Sequence, residues 1–165
     1  TNVLRTGKKA AALLTLLGDA LKGWLAVYLA QRFAGAATSD LFTALCAVAV
    51  TVGHMYPVFF RFHGGKGVST ALGVLLALNV YLAAGTAATW IIIALFFRIS
   101  SLAALIAALF APFFTLILYH AGHPFFPAAG AIAVLLFWRH RANIRNLAAG
   151  TESRIGSRNS GAPQN

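Results

Sequence analysis

The chain has 165 residues, of which 59% are apolar and only 10% are charged, and its mean hydropathy is +0.78. Soluble domains carry about 25% charged residues, so a surface this poor in charge excludes a water-soluble enzyme. Abundant aliphatic residues exclude a disordered chain, and a single cysteine excludes a disulfide scaffold. Composition therefore predicts a polytopic α-helical membrane protein.

The net charge of +10 comes from 13 lysines and arginines and 3 acidic residues. Such an excess would suggest nucleic acid in a soluble protein, but the cytoplasmic loops of membrane proteins collect Lys and Arg whatever their function. We therefore expect the lipid bilayer as a partner, and no nucleic acid. Because the chain starts at Thr1, already inside a polar stretch, we also expect an N-terminal portion to precede it.

Three apolar runs of membrane-spanning length occupy the first part of the chain. Ala10 to Ala30 is interrupted only by Asp19 and Lys22, and Leu41 to Phe60 carries no charge. Gly67 to Phe97 is uncharged over 31 residues, which is too long for one upright helix. We therefore predict two short helices within this third run.

The break in the third run is expected at a turn near Asn79 to Gly85. Further along, the segment His120 to Pro124 is polar and contains Gly and Pro, which separates two more apolar runs. These runs predict helices over Leu102 to Tyr119 and over Phe125 to Trp138.

Charge placement favours six crossings of the membrane, two of them short. With six crossings, 11 of the 13 basic residues face the cytoplasm, Arg32 lies outside and Lys22 lies within a helix. The predicted fold class is therefore an all-α transmembrane helix bundle, a single domain over residues 1–150. Residues 151–165 are rich in Ser, Gly, Asn and Arg, which predicts a disordered cytoplasmic tail.

The segment GGKGVST, residues 64–70, is the clearest candidate for a binding site. Its glycines let the backbone approach a ligand closely, and its lysine supplies a positive charge. Its Ser-Thr pair stands at the predicted start of a helix, where backbone N–H groups are unpaired. The phosphate-binding candidates are Gly64, Gly65, Lys66, Gly67, Ser69 and Thr70. The alternative is an ordinary flexible loop that carries a cytoplasmic lysine.

Ionisable residues in the first two spans have a structural and a functional interpretation. Asp19 and Lys22 are three residues apart and share a helix face, which favours a structural ion pair; the alternative places them in the wall of a site. His54 near the inner end of its helix is either a packed, hydrogen-bonded residue or a support for the glycine loop that follows.

The segment RHRANIRN, residues 139–146, follows the last predicted span. It either anchors the helix to anionic lipid headgroups or holds a second phosphate, with Asn143 placing a hydroxyl group. The segments TNVLRTGKK, GGKGVST and RHRANIRN are all predicted on the cytoplasmic face, which suggests one shared anionic site there. The widely separated acidic residues and scattered histidines predict no metal site, and we expect no cofactor.

Those three segments, in that order, resemble the signature motifs of the bacterial acyl-phosphate glycerol-3-phosphate acyltransferases, integral membrane enzymes of the PlsY type. The resemblance rests on TNVLRTG, DALKG, GHMYPVFFRFHGGKGVST and HRANI. It implies a bundle of about seven transmembrane helices, of which this chain would lack the first. It further implies a multi-pass protein of the bacterial inner membrane with its active site facing the cytoplasm.

The resemblance implies a reaction in which a fatty acyl group passes from acyl phosphate to the 1-hydroxyl of sn-glycerol 3-phosphate. The products would be lysophosphatidic acid and inorganic phosphate, in the first acylation of phospholipid synthesis. An acyl phosphate is already activated, so positioning and charge stabilisation suffice without a covalent nucleophile.

Roles for individual residues follow from the same resemblance. Asn2 and Arg5 would bind a substrate phosphate together with the glycine loop. His140 and Asn143 would orient glycerol 3-phosphate and, with Lys66, form the catalytic set. The supporting residues would be His54, Asp19, Lys22 and Arg141. The proton acceptor stays open between a substrate phosphate oxygen and His140.

The chain departs from the family pattern at two places and leaves alternatives open. It lacks the Gly-Ser-Gly-Asn run that opens the first motif, and Ala142 stands where an acidic residue is common. A transporter for an organic phosphate would need polar residues across the whole bilayer, and a structural anchoring subunit would leave the glycine loop unexplained. The acyl donor (acyl phosphate or a carrier thioester), the preferred chain length and the oligomeric state, a monomer included, stay open.

Overall fold

The structure is a computed structural model that describes residues 9–35 and 39–156. This part of the chain is helical and contains no strand. Its α-helices are α1 (Lys9–Phe33), α2 (Ser39–Met55), α3 (Val68–Leu78), α4 (Val80–Phe97), α5 (Ser100–Tyr119), α6 (Phe125–Arg139) and α7 (Arg141–Ala148). A short 3-10 helix, Val58–Phe60, follows α2.

Four of the described helices are long and apolar enough to cross a membrane: α1, α2 with its continuation to Phe60, α4 and α5. Helices α3 and α6 are also apolar, but they have only 11 and 15 residues. At 1.5 Å per residue α3 is about 16 Å long, roughly half of a 30 Å hydrocarbon core. The prediction of an all-α polytopic membrane bundle is confirmed.

Asn79 produces the break in the 31-residue apolar run, as predicted. Its side-chain oxygen accepts hydrogen bonds from the backbone N–H groups of Tyr81 at 2.8 Å and Leu82 at 3.4 Å, which caps α4. Its amide nitrogen donates to the hydroxyl of Tyr119 at 3.1 Å. Because this capping residue lies nearer the start of the run, the two helices are unequal. The expectation of two short helices here is therefore wrong for α4, which has 18 residues; the other short helix is α6.

The predicted break at His120 to Pro124 is also confirmed, since α5 ends at Tyr119 and α6 begins at Phe125. His123 lies 3.3 Å from a carboxylate oxygen of Asp40, at the start of α2. Together with the bond between Asn79 and Tyr119, this contact places the α3–α4 and α5–α6 turns and the start of α2 at one end of the bundle.

Helices α1 and α3 cross at a contact made by small residues. A Cβ atom at Gly73 would overlap the carbonyl oxygen of Ala20, and one at Gly23 would overlap the carbonyl oxygen of Thr70. Backbones approach this closely only where a side chain is missing. The crossing therefore presses the start of α3 against the middle of α1.

Around this crossing, α3 and α6 pack against α2, while α5 packs against α4 and α6. The fully buried side chains of Met55, Val74 and Leu82 form the centre of the core. Many leucines of α1 face outward, as expected for side chains that meet lipid. The glycine loop before α3 thus lies between α1, α2 and the end of α6.

The last described residues return along the bundle after α7. Residues 151–156 have no regular secondary structure. The N–H of Ile155 donates to the carbonyl of Arg98 at 2.6 Å, and the guanidinium of Arg98 donates to the carbonyl of Ile155 at 3.2 Å. Residues 157–165 of the predicted disordered tail lie outside the described residues, so that prediction stays open.

Candidate active site

Glycine conformation and one arginine shape the loop at residues 64–67. The guanidinium of Arg139 donates to the carbonyls of Gly64 at 2.7 Å and Gly65 at 3.2 Å. The same guanidinium lies 5.1 Å from the ring centroid of Tyr56. Gly67 has a φ of +86°, which favours glycine. A Cβ atom at Gly64 would overlap the carbonyl of His54. The loop is therefore built on close backbone contacts that require glycine.

Helix α3 starts directly after this loop with no side chain capping its first turn. Gly67 is the residue before the helix, and no side chain there bonds an N–H group. The unpaired N–H groups and the positive end of the helix dipole favour an anion at this point. Ser69 is half-buried in this first turn. Thr70 is fully buried at the α1–α3 crossing, and its hydroxyl has no hydrogen-bond partner among the described residues.

Lys66 is joined to the segment after α6 by a chain of hydrogen bonds. Its ammonium donates to Oδ1 of Asn143 at 2.7 Å, and Nδ2 of Asn143 donates to Oε1 of Glu152 at 2.7 Å. The hydroxyl of Ser101, at the start of α5, donates to the same Glu152 oxygen at 2.8 Å. This Lys66–Asn143–Glu152–Ser101 network connects three elements that are distant in the sequence.

His140 lies at the junction of α6 and α7 and is only 3% exposed. Its Nδ1 lies 2.7 Å from the carbonyl of Leu136, which can only accept, so Nδ1 carries the proton. Burial lowers the pKa of His140, and the charges of Lys66 and Arg139 lower it further, against the bond to Leu136 and the charge of Glu152. The imidazole is therefore neutral near pH 7, with Nε2 able to accept a proton.

Glu152 stays ionised in this network. Its partial burial acts to raise the pKa of the carboxyl, but hydrogen bonds from Asn143, Ser101 and Asn146 lower it more, so that the pKa lies below its ordinary value of 4.5. Lys66 also favours the charged form. Asn143 therefore lies between the negative charge of Glu152 and the positive charge of Lys66.

A second polar group borders the glycine loop from the side of α1. The ammonium of Lys22 donates to Asp19 at 2.6 Å and lies 2.6 Å from Nδ1 of His54. The predicted ion pair within α1 is therefore present, and it also reaches the residue next to the loop. A cavity of about 360 Å³ is lined by these three side chains and by Gly64 and Gly65.

The structure brings most of the predicted site residues together at one end of the bundle. Lys66, Asn143 and His140 converge at the start of α3, so two of the three segments predicted to share an anionic site lie together, and the binding of an anion there stays a prediction. Arg141 instead stacks on Trp138, with 5.3 Å from its guanidinium carbon to the ring centroid. Asn2 and Arg5 lie outside the described residues, so their roles stay predictions.

Sequence reasoning assigned no role to Ser101 and Glu152, although both belong to the network around Asn143. Glu152 is the only acidic residue in the basic C-terminal segment, and this isolation was the available signal. Ser101 carries no such signal, because a serine at the start of a helix is common. Only the folded chain brings residue 101 to residue 152.

Known proteins resemble this chain over nearly its whole length. The family described as glycerol-3-phosphate acyltransferase matches residues 1–150. A glycerol-3-phosphate acyltransferase of Burkholderia multivorans is 58% identical over 163 residues, which cover 98% of this chain and 76% of that protein. A second, from Burkholderia pseudomallei, is 58% identical over 159 residues, covering 96% of this chain and 77% of that protein.

Two solved structures share the fold. The glycerol 3-phosphate form of PlsY, an integral membrane glycerol 3-phosphate acyltransferase, has a TM-score of 0.88 and 36% identity, covering 94% of this chain and 76% of that one. The lysophosphatidic acid form has a TM-score of 0.86 and 37% identity, covering 94% and 78%. On the match of sequence and fold, the chain belongs to the glycerol-3-phosphate acyltransferase family of integral membrane enzymes.

Proposed function

We propose that this protein transfers a fatty acyl group from acyl phosphate to the 1-hydroxyl of sn-glycerol 3-phosphate, giving lysophosphatidic acid and inorganic phosphate. This would be the first acylation of bacterial phospholipid synthesis. The observation that carries the proposal is the convergence of Lys66, Asn143 and His140 at the uncapped start of α3. The PlsY structures named for glycerol 3-phosphate and lysophosphatidic acid support the acceptor and the product.

Phosphate binding is assigned to the glycine loop. The ammonium of Lys66 and the N–H groups at the start of α3 offer positive charge and donors to a phosphate. From the resemblance, we assign Asn2 and Arg5 to the same task, with Ser69 and Thr70 as candidates in the first turn of α3. Arg139 holds the loop by its carbonyls and so has its donors directed at the protein.

The chemical step needs no covalent enzyme intermediate, because an acyl phosphate is a mixed anhydride. The 1-hydroxyl oxygen attacks the acyl carbonyl carbon, the bond from that carbon to the phosphate oxygen breaks, and phosphate leaves. Asn143 and His140 orient the acceptor for this attack. The hydroxyl proton goes either to Nε2 of His140 or to an oxygen of the substrate phosphate.

The fate of that proton can be tested at His140. In the variant His140→Asn, the amide nitrogen retains a donor for Leu136 but no group replaces Nε2 as a base. If His140 accepts the proton, kcat falls by 100-fold or more, within the range of about 10² to 10⁴ typical of a general base. If the phosphate oxygen accepts it, kcat changes little and only KM rises.

We place the protein in the bacterial inner membrane as a multi-pass protein whose active site faces the cytoplasm. The basic residues Lys66, Arg98, Arg139 and Arg141 lie at the end of the bundle that holds the network, in accordance with the excess of Lys and Arg in cytoplasmic loops. Glycerol 3-phosphate is a charged metabolite, so a site on this side meets its substrate without transport.

The reaction is tested with purified full-length protein in detergent. Labelled glycerol 3-phosphate is supplied with either palmitoyl phosphate or palmitoyl-CoA, and labelled lysophosphatidic acid is measured. We expect product from palmitoyl phosphate only. In Lys66→Ala we expect the rate of product formation to fall by about 100-fold, as for the loss of one charge-assisted contact. Arg32→Ala removes one positive charge from the last turn of α1, next to Gln31, which bonds the carbonyl of Ala77 near the other end of α3, and should retain full activity.

Other outcomes would redirect the assignment. Product from palmitoyl-CoA alone would show a thioester donor in place of acyl phosphate. Near-normal activity of Lys66→Ala would show that the glycine loop is not part of the active site. No product from either donor in folded protein would favour a transporter of organic phosphates.

A further inference from the structure

The Lys22–Asp19–His54 group lies on the α1 side of the glycine loop, whereas the Lys66–Asn143–Glu152–Ser101 network lies on the α6 side. The first group borders a cavity of about 360 Å³ whose wall includes the backbone of Gly64 and Gly65. The side chain of His54 is only 10% exposed, and that of Lys22 is 42% exposed. Ionisable residues inside membrane helices, such as Asp19 and Lys22, usually mark a functional site.

Hydrogen-bond chemistry determines which nitrogen of His54 carries the proton. The ammonium of Lys22 has three donors and no acceptor, and it lies 2.6 Å from Nδ1. A carboxylate oxygen of Asp19 also lies 3.5 Å from Nδ1, but the ammonium is the nearer group at 2.6 Å. We therefore assign Nδ1 as the unprotonated nitrogen and Nε2 as the N–H donor of the neutral imidazole. Asp19 accepts a second hydrogen bond from Lys22 at 2.6 Å, which holds the ammonium in place.

The donor of His54 is directed at the glycine loop. A Cβ atom at Gly65 would overlap Nε2, so the ring edge lies against the loop only because residue 65 is glycine. The ring and the loop backbone then border the same cavity. No acceptor for Nε2 occurs within hydrogen-bond distance among the described residues.

We propose that His54, held as the Nε2–H tautomer by Lys22 and Asp19, donates a hydrogen bond to a phosphoryl oxygen of a substrate bound against Gly64 and Gly65. His54 would be a further substrate-binding residue, and Lys22 and Asp19 would be positioning residues. This inference rests on the proposed function, because both proposed substrates carry a phosphoryl group. The ligand chemistry is an oxyanion of either glycerol 3-phosphate or acyl phosphate.

The test compares two replacements of His54 in purified full-length protein. His54→Gln can place an amide N–H donor near the position of Nε2, whereas His54→Leu fills the space without a donor. We expect His54→Leu to raise KM for one of the two substrates by about 10- to 100-fold, the loss of one hydrogen bond to a charged group. His54→Gln should recover most of that loss, and KM for the other substrate should stay within two-fold. The substrate whose KM rises identifies the phosphoryl group that His54 contacts.

The positioning role is tested at Lys22. Lys22→Arg retains donors for both Asp19 and His54, whereas Lys22→Met retains none. Lys22→Met should raise the same KM as His54→Leu, by a smaller factor, and Lys22→Arg should lie between it and wild type. In the double variant Lys22→Met/His54→Leu, the two effects should not add, because Lys22 acts only through the imidazole.

A matched control and a binding measurement separate this inference from the proposed function. His120→Leu alters an exposed histidine at the opposite end of the bundle and should leave both KM values unchanged. Equilibrium dialysis with labelled glycerol 3-phosphate and with inorganic phosphate reports binding even if no acyl transfer occurs. Equal KM and equal binding in His54→Leu and wild type would overturn the inference, as would equal losses in His54→Gln and His54→Leu.

Discussion

At the scale of single residues, Asn143 has one possible orientation. Its carbonyl oxygen faces the ammonium of Lys66, and its amide nitrogen faces the carboxylate of Glu152. A flipped amide would put donor against donor and acceptor against acceptor. The opposite charges on its two sides therefore orient the side chain that the resemblance assigns to the acceptor substrate.

The orientation of Asn143 can be tested with a double variant. Asn143→Asp keeps the shape of the side chain but places a second carboxylate against Glu152, so we expect kcat/KM to fall by about 100-fold from misplacement of the site. Adding Glu152→Gln restores a donor for the new carboxylate and should recover at least ten-fold of the loss. The kcat/KM values of wild type, the two single variants and the double variant are compared in a double-mutant cycle. Additive losses would show that the orientation of Asn143 is unimportant.

His140 predicts the pH dependence of stability. Because burial lowers its pKa below the ordinary value of 6.5, the unfolded chain binds this proton at a higher pH than the native chain does. The contribution of neutral His140 is complete above pH 6.5 and declines as the pH falls from there through the lower native pKa. We expect the Tm in detergent to fall as the pH is lowered below 6.5, and to fall less in His140→Asn, which cannot bind the proton. Parallel Tm curves for the two proteins would contradict this.

At the scale of helices, the lengths of α3 and α5 determine the depth of the site. Both reach the end of the bundle where Asn79 bonds Tyr119, but α3 has 11 residues and α5 has 20. At 1.5 Å per residue, α3 stops about 13 Å short of the start of α5. The glycine loop is therefore recessed toward the membrane interior, which is the position that the proposed reaction requires if an acyl chain and a phosphate are to meet there.

The crossing of α1 and α3 holds this recessed loop in place, and its glycines should tolerate no side chain. Gly73→Ala places a Cβ atom on the carbonyl of Ala20, a backbone group that cannot turn away, so we expect a loss of about 1–3 kcal/mol in the free energy of unfolding. Gly18→Ala, in the same helix pair but with open space around it, should be neutral or slightly stabilising. The Tm values of the two variants are measured in the same detergent. Equal Tm values would show that α1 and α3 do not approach closely enough at Gly73 to exclude a side chain.

At the scale of the whole molecule, polar contacts divide the bundle into two unlike ends. One end carries the glycine loop, the α4–α5 turn and α7, with Lys66, Arg98 and Arg139; the other carries Asn79 and the Asp40–His123 pair. Six apolar helices between these ends agree with an even number of crossings, in which α1 and α7 meet the membrane on the same side. In the proposed localisation the first end faces the cytoplasm, because it carries the excess of basic residues.

Cysteine labelling tests this orientation. In a Cys46→Ala background, we expect Ala121→Cys, in the α5–α6 turn, to react with a membrane-impermeant maleimide in intact spheroplasts. Ala149→Cys, after α7, should react only once the membrane is permeabilised. Both positions are exposed, so accessibility differs only by the side of the membrane. The reverse pattern would place the candidate site outside the cell.

Hydropathy and turn chemistry are local properties, and the sequence alone therefore determined that this is a helical membrane protein with breaks near Asn79 to Gly85 and at His120 to Pro124. It also indicated the glycine loop and the basic segment after α6, because glycine, lysine and asparagine are uncommon in an apolar chain. Only the tertiary structure decided that Ser101 bonds Glu152, which in turn holds Asn143, and that Lys22 contacts Nδ1 of His54. These contacts join residues 51 and 32 positions apart through a few hydrogen bonds each. Helix crossings such as that of Gly73 on Ala20 bring such partners together, and no local pattern in the sequence encodes them.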